Sequence, residues 1–275
     1  MLLSMFHVSA PTLVYKHWLN AALYYVMQKN DFVDASEYKN YLIATARSFV
    51  FDRFLSNSLP KDYYDLIYKT NSTVKRRVEQ LNLQKLVFDE GIENIVFNYL
   101  DYLLWEQYKH KNKSITEFEF SFRSSVEHYY PRNPMPGYKQ LKRDALDSFG
   151  NLCLISHSKN SRLSNQPPIA KRSHYNKQNL DSIKQWVMME KYNPDEWNEA
   201  SIADHKQKML ELLTSELDSE YGTMISTSAN SSDNKALRWL NQYKNDPQER
   251  MMLARAIFCF GEIAFEMGNT KYMDK

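Results

Sequence analysis

Glu117-Phe118-Glu119-Phe120-Ser121-Phe122 is the stretch at which the chain changes period. Apolar Phe118, Phe120 and Phe122 alternate with polar partners, and a period of two predicts a half-buried strand. Pro131, Pro134 and Pro136 then end pairing, because proline supplies no amide hydrogen and fixes φ, while Gly137 permits a turn. A second short apolar run, Phe149-Gly150-Asn151-Leu152-Cys153-Leu154-Ile155, reads as another strand, followed by a polar loop from His157 to Gln166. Pro167 and Pro168 precede Ile169 to Met189, where proline near a first turn and later apolar spacing predict a helix. The order is strand, strand, helix.

Outward from this centre the chain reads as helical. On the N-terminal side apolar residues recur three and four apart in Leu13 to Met27, Tyr38 to Leu55 and Val87 to Tyr108. Asp34 with Glu37 three residues later has the spacing of a capping box. Lys109 to Ser114 forms a polar, basic break. On the C-terminal side Ile202 to Leu217 reads as an amphipathic helix behind Trp197, with Ser201 as its cap. Ser226 to Asp233 is a polar linker, and Leu237 to Tyr243 with Glu249 to Met267 forms a last helical pair. The expected class is α+β and predominantly α-helical. Residues 1–113 form a helical domain, 114–217 a domain around the two strands with its core at about 121–190, and 218–275 a C-terminal helical region.

A chain of 275 residues has room for one large core or two modest ones. Cys153 and Cys259 lie far apart without CxxC or Cys/His spacing, so neither a disulfide framework nor a zinc site is expected. Met1 to Ala10 lacks a basic n-region, and no apolar run is long enough to span a bilayer free of charge, so a soluble, cytoplasmic protein without a membrane partner is expected. The net charge of +2 hides an asymmetry: residues 121–190 carry +6 and the remainder −4. Clustered basic residues are how a nucleic-acid partner first shows in a sequence, although a solvated basic face has the same composition.

Four motifs occur in order within the basic segment: Glu127-His128-Tyr129-Tyr130-Pro131, then Gly150-Asn151-Leu152-Cys153-Leu154, then Asn160-Ser161-Arg162-Leu163-Ser164-Asn165, and Lys171. Together they resemble the nuclease domain of GmrSD-type HNH endonucleases, clearly over about 121 to 175 and more weakly through Trp197, Ile202, His205 and Met209. The resemblance implies a ββα-metal (HNH) motif that hydrolyses DNA phosphodiester bonds, with a role in restricting foreign or phage DNA. It makes His128 the general base, Glu127 and Asn160 oxygen ligands of one divalent ion, Mg²⁺ or Mn²⁺, and Asn151 the carboxamide that ties the hairpin to the His128 loop. Lys171 is expected to contact phosphate, with Lys159, Arg162 and Arg172 adding electrostatic grip on DNA. His157 and His174 are expected to stand aside.

Adjacent residues of a strand point to opposite faces, so the strand is expected to end or twist at Glu127 and His128. Many GmrSD-type proteins carry an Asp-Gly-Gln-Gln-Arg motif in a nucleotide-dependent domain. No such motif and no phosphate-binding glycine loop occurs among the six glycines here, so nucleotide dependence is not implied. The helical first hundred residues are open to docking a sensor or NTPase subunit or to forming a homo-oligomer. The competing expectation is a non-catalytic nucleic-acid-binding or scaffold subunit of a defence complex.

Overall fold

The computed structural model describes residues 1–10, 12, 16–29, 33–69, 81–175, 180–215 and 217. The expected linker and final helical pair, Ser226 to Met267, lie outside the described residues. Helix dominates, and the sheet among the described residues is a single two-stranded hairpin.

The N-terminal layer is built from α1 (Leu2–Ser9), α2 (His17–Gln28) and α3 (Ala35–Arg47), the last running into a π-helical turn at Ser48–Phe54. Asp34 caps α3 by accepting the amides of Ser36 at 2.9 Å and Glu37 at 2.8 Å. The return half of the box is not made, since the Glu37 carboxylate goes to Lys29 and Tyr25 instead. Helix α4 (Asn94–Tyr108) starts later than the expected Val87, because Val87 pairs with Ser148 and Phe88–Glu90 forms a 3₁₀ turn ended by Gly91 at φ 70°. That left-handed backbone suits a residue without Cβ. Short α5 (Lys113–Thr116) follows.

The first strand is displaced from its expected place. Phe118–Phe122 forms no strand; β1 is Ser125–His128, antiparallel to β2 (Leu152–Ile155), with Glu127 opposite Cys153 and His128 opposite Leu152. Alternation marks where a strand is possible, but a strand needs a partner, and β2 meets the next segment. Phe118 and Phe120 pack edge-on at 5.2 Å near the Arg123 guanidinium instead.

Both faces of β2 are dry, and the period of two divides them. Leu152 and Leu154 join the core of the N-terminal helices and α4, whereas Cys153 and Ile155 join a second cluster with Tyr129, Leu163, Tyr175, Met188 and Trp197. Burying each such aliphatic or aromatic side chain contributes roughly 1.5–3 kcal/mol.

Beyond the short α6 (Arg143–Leu146), two expectations on the C-terminal side are corrected. The stretch expected to be a polar loop is helical over α7 (His157–Leu163), a helix that buries only Leu163 and so has no apolar stripe to reveal it. The single helix expected from Ile169 to Met189 is two, α8 (Pro168–Tyr175) and α9 (Ile183–Lys191), with Ser182 capping α9 through the Gln185 amide. Helix α10 (Glu199–Thr214) is capped by Asn198, which accepts from the amides of Ala200 and Ser201, rather than by Ser201 itself. It crosses the hairpin entry so closely that a Cβ on Gly150 would stand 2.1 Å from the Ile202 carbonyl oxygen. No helix of the described residues is long and apolar enough to cross a membrane.

Candidate active site

Strand β1 ends at His128, the last residue of the ladder. Glu127 and His128 leave the hairpin on opposite faces because successive residues of a strand alternate, and each shares its face with the residue directly opposite it on β2. Glu127 lies with Cys153 on the side where α7 packs against β1 and where Leu163 is buried; His128 lies with Leu152 on the side of Phe88.

Glu127 is 6% exposed and ion-paired with Lys171 of α8, whose ammonium also donates to the His128 carbonyl at 2.6 Å. Burial outweighs that pairing and raises the Glu127 carboxyl above its ordinary value, with the Lys171 ammonium opposing. The pair uses Oε1, and a backbone hydrogen bond from His128 also favours the carboxylate. Lys171, expected to contact phosphate, is fully buried with its ammonium turned inward to Glu127 and the His128 carbonyl.

His128 is held on two sides. Its Nε2 lies 2.9 Å from Asp147 Oδ1, and its ring meets the Phe88 ring at 4.5 Å. Burial lowers the His128 pKa below the ordinary imidazole value, with the Asp147 hydrogen bond pulling the other way and Arg132 adding to the lowering. A neutral imidazole at neutral pH is the form that accepts a proton. Burial would raise Asp147, but hydrogen bonds from Arg132 and His128 hold it below the usual carboxylate range.

Asn151 is fully buried and fully satisfied. Its Oδ1 accepts from the Tyr130 amide at 2.8 Å and the Trp197 indole at 3.1 Å, while Nδ2 donates to the carbonyls of Tyr130 and Leu146, both at 2.9 Å. The segment that follows His128 is thereby tied to β2, to the end of α6 and to the approach of α10. Beneath the hairpin, fully buried Lys184 donates to the carbonyls of Phe149 at 2.7 Å and Leu152 at 2.6 Å, and burial lowers its pKa to about 7.

The expected phosphate-gripping cations divide. Lys159 bonds Asp181 at 2.8 Å and lies over the Tyr175 ring, and Arg172 meets Glu190 at 3.5 Å. Arg162 and Asn160 are carried on α7, Arg162 exposed and Asn160 partly buried. Much of the basic excess is thus spent inside the fold, including Arg123, which pairs with Asp101 at 2.7 Å at full burial. His157 is exposed at the start of α7.

Asp147, Arg132, Arg143, Phe88 and Asp89 were not expected at the site. The opposite charges of Arg143 and Asp147 four residues apart were a local signal; the remaining contacts join distant segments and leave no mark in the sequence.

Among the described residues no three His, Cys, Asp or Glu side chains gather into a metal-holding group. One carboxylate with one carboxamide falls below that number, yet hard oxygen donors of this kind suit Mg²⁺ or Mn²⁺, which keep several waters and bind substrate phosphate. A cavity of about 490 Å³ lies elsewhere, among Phe6, Trp18, Phe49 and Tyr63 of the N-terminal layer.

No curated protein and no solved structure matches the chain. Residues 69–212 match the C-terminal domain of GmrSD restriction endonucleases, a span that begins ahead of α4 and reaches into α10. That span covers more than half of the chain and contains the hairpin, α7, α8 and the buried links around His128, and the protein therefore belongs to the family of GmrSD restriction endonuclease C-terminal domains.

Proposed function

We propose that this chain is a divalent-metal-dependent DNA endonuclease of the HNH type, acting in restriction of foreign DNA. The observation that carries the reading is the hairpin followed by a helix, with a buried, oriented imidazole at the end of β1, the preceding residue's carboxylate on the other face, and α7 bearing Asn160 packed on the same strand. Residues 114–217 are proposed as the nuclease unit, with the ββα-metal core at about 121–190.

In this reading His128 takes the proton of the attacking water as its oxygen bonds to phosphorus and the bond to the 3′ oxygen breaks. Glu127 and Asn160 would hold one Mg²⁺ or Mn²⁺, which when bound supplies charge stabilisation to the phosphoryl oxygens. Lys171 acts through Glu127 as a positioning residue, fixing one carboxylate oxygen. Asn151 fixes the backbone beyond His128. Because Glu127 and His128 leave opposite faces, the phosphate would lie across the end of β1, within reach of both residues. Arg162 on exposed α7 and partly exposed Arg172 are the proposed DNA contacts.

The test is cleavage of supercoiled plasmid by the full chain with Mg²⁺, Mn²⁺ or chelator. Cutting is expected only with the ion, and His128→Ala is expected to reduce it by about 10³-fold while DNA affinity and cooperative unfolding are retained. Cutting that survives chelation, or that His128→Ala leaves unchanged, overturns the reading.

A further inference from the structure

The contacts of His128 extend into a closed ring of charges. Asp147 accepts from His128 Nε2 at 2.9 Å and from Arg132 Nε at 2.6 Å through Oδ1, and from Arg143 Nε at 3.1 Å through Oδ2. The far sides of the same guanidiniums meet Asp89, Arg132 Nη2 at 2.8 Å and Arg143 Nη2 at 3.1 Å. Two carboxylates and two guanidiniums thus alternate around a square with no net charge. Its inner corner is not free to turn, since the side chain of Asp147 is 9% exposed while that of Asp89 is 60% exposed.

The backbone fixes the square in place. The Phe88 amide donates to the Asp147 carbonyl at 2.9 Å, the Phe149 amide donates to the Leu86 carbonyl at 3.2 Å, and Val87 pairs with Ser148. The turn at Phe88–Glu90 is therefore zipped to the segment that carries Asp147, and Phe88 is clamped between the Arg132 guanidinium at 4.2 Å and the His128 ring at 4.5 Å. One face of the imidazole and one of its nitrogens are held from the same short segment pair.

We propose that Asp147 is the positioning residue of His128: as a carboxylate it accepts only, so it requires the imidazole proton on Nε2 and leaves Nδ1 as the nitrogen that takes the proton from water. Nδ1 meets no hydrogen-bond partner among the described residues. A neutral imidazole carries its proton on one nitrogen only, so fixing the donor nitrogen fixes the basic one. Arg132 and Arg143 keep the Asp147 carboxylate ionised and aimed, and Asp89 compensates their charge from the solvent side. The inference rests on the nuclease reading and names a group that acts through the base, outside any contact with DNA or ion.

The test uses the full chain, labelled with ¹⁵N-histidine, without added metal, together with plasmid cutting in Mg²⁺. In the wild type the neutral His128 imidazole, identified by its loss in His128→Gln, is expected to carry its proton on Nε2. Asp147→Ala is expected to give a mixture of tautomers and to lower kcat by about 10²-fold, with KM for plasmid unchanged. Asp147→Asn puts an amide donor where a carboxylate oxygen accepted, so it no longer requires the Nε2–H tautomer; it is expected to lower kcat as well and serves where Asp147→Ala fails to fold, and an Asp147→Asn chain that cuts within about twofold of the wild type counts against the proposal equally. An Asp147→Ala chain that keeps the single tautomer, or that cuts within about twofold of the wild type, overturns the proposal. Absence of cutting by the wild-type chain instead overturns the nuclease reading itself.

Discussion

In the N-terminal layer Phe6 stacks on Trp18 at 5.7 Å and meets Phe49 edge-on at 6.2 Å; at the hairpin the equally buried groups are Asn151, Lys171, Lys184 and His205. The two regions are comparably dry and are held by different means. Apolar packing is non-directional, so the first tolerates a change of shape if volume is kept. A buried polar network is directional, and each lost partner strands another group away from water. The hairpin region therefore has one arrangement available to it, which is what the proposed base and its neighbouring carboxylate require.

The sharpest way to break the comparison is Asn151→Ala, which strands two donors and two acceptors in a dry site. A loss of about 4 kcal/mol in urea unfolding is expected. A loss near that of a single exposed hydrogen bond would mean the network is no more demanding than the aromatic layer.

Acid should separate the regions next. Burial lowers Lys184 to about 7 and holds His205 well below its ordinary 6.5, with the nearby Lys184 charge adding to the His205 shift. Both groups bind fewer protons folded than unfolded, so stability rises with pH, below 6.5 for His205 and from about 7 upward for Lys184. Unfolding midpoints should imply a gain of about 2 kcal/mol between roughly pH 5.5 and 8. Replacing His205 by Gln should flatten the acid half of that profile, and an unaltered profile would count against the buried neutral imidazole.

The aromatic layer should yield less. Phe49→Leu, an apolar exchange in a core that includes Trp18, Leu42 and Tyr99, is expected to cost about 1.5 kcal/mol with no change in cooperativity. A cost matching that of Asn151→Ala would show this layer to be as tightly specified as the hairpin. The smallest effect belongs to the exposed helix start: Asp34→Ala removes the acceptor of two first-turn amides and should cost about 1 kcal/mol by thermal melting.

How far the sequence could be read follows the same division. Helices α2, α3 and α4 announce themselves because a helix that buries one stripe must repeat apolar residues three and four apart, and the Asp34 cap is local chemistry between residues two and three apart. Helix α7 escapes that logic because its polar surface leaves only Leu163 to bury. The alternating phenylalanines satisfy the period of a strand without a partner to pair with, so β1 lies seven residues beyond the start of the alternation, at Ser125.

Residue types set the chemistry before any folding: an imidazole next to a carboxylate, two carboxamides and a lysine in a basic segment are written in the chain. What each faces was decided by tertiary structure. Lys171 turned inward to Glu127, Lys159 toward Asp181, and the pair that orients His128 came from Asp147 and the turn before α4. A hydrogen bond between residues nineteen or forty-four positions apart has no period and no local propensity, and it exists only once burial makes leaving either partner unpaired too costly.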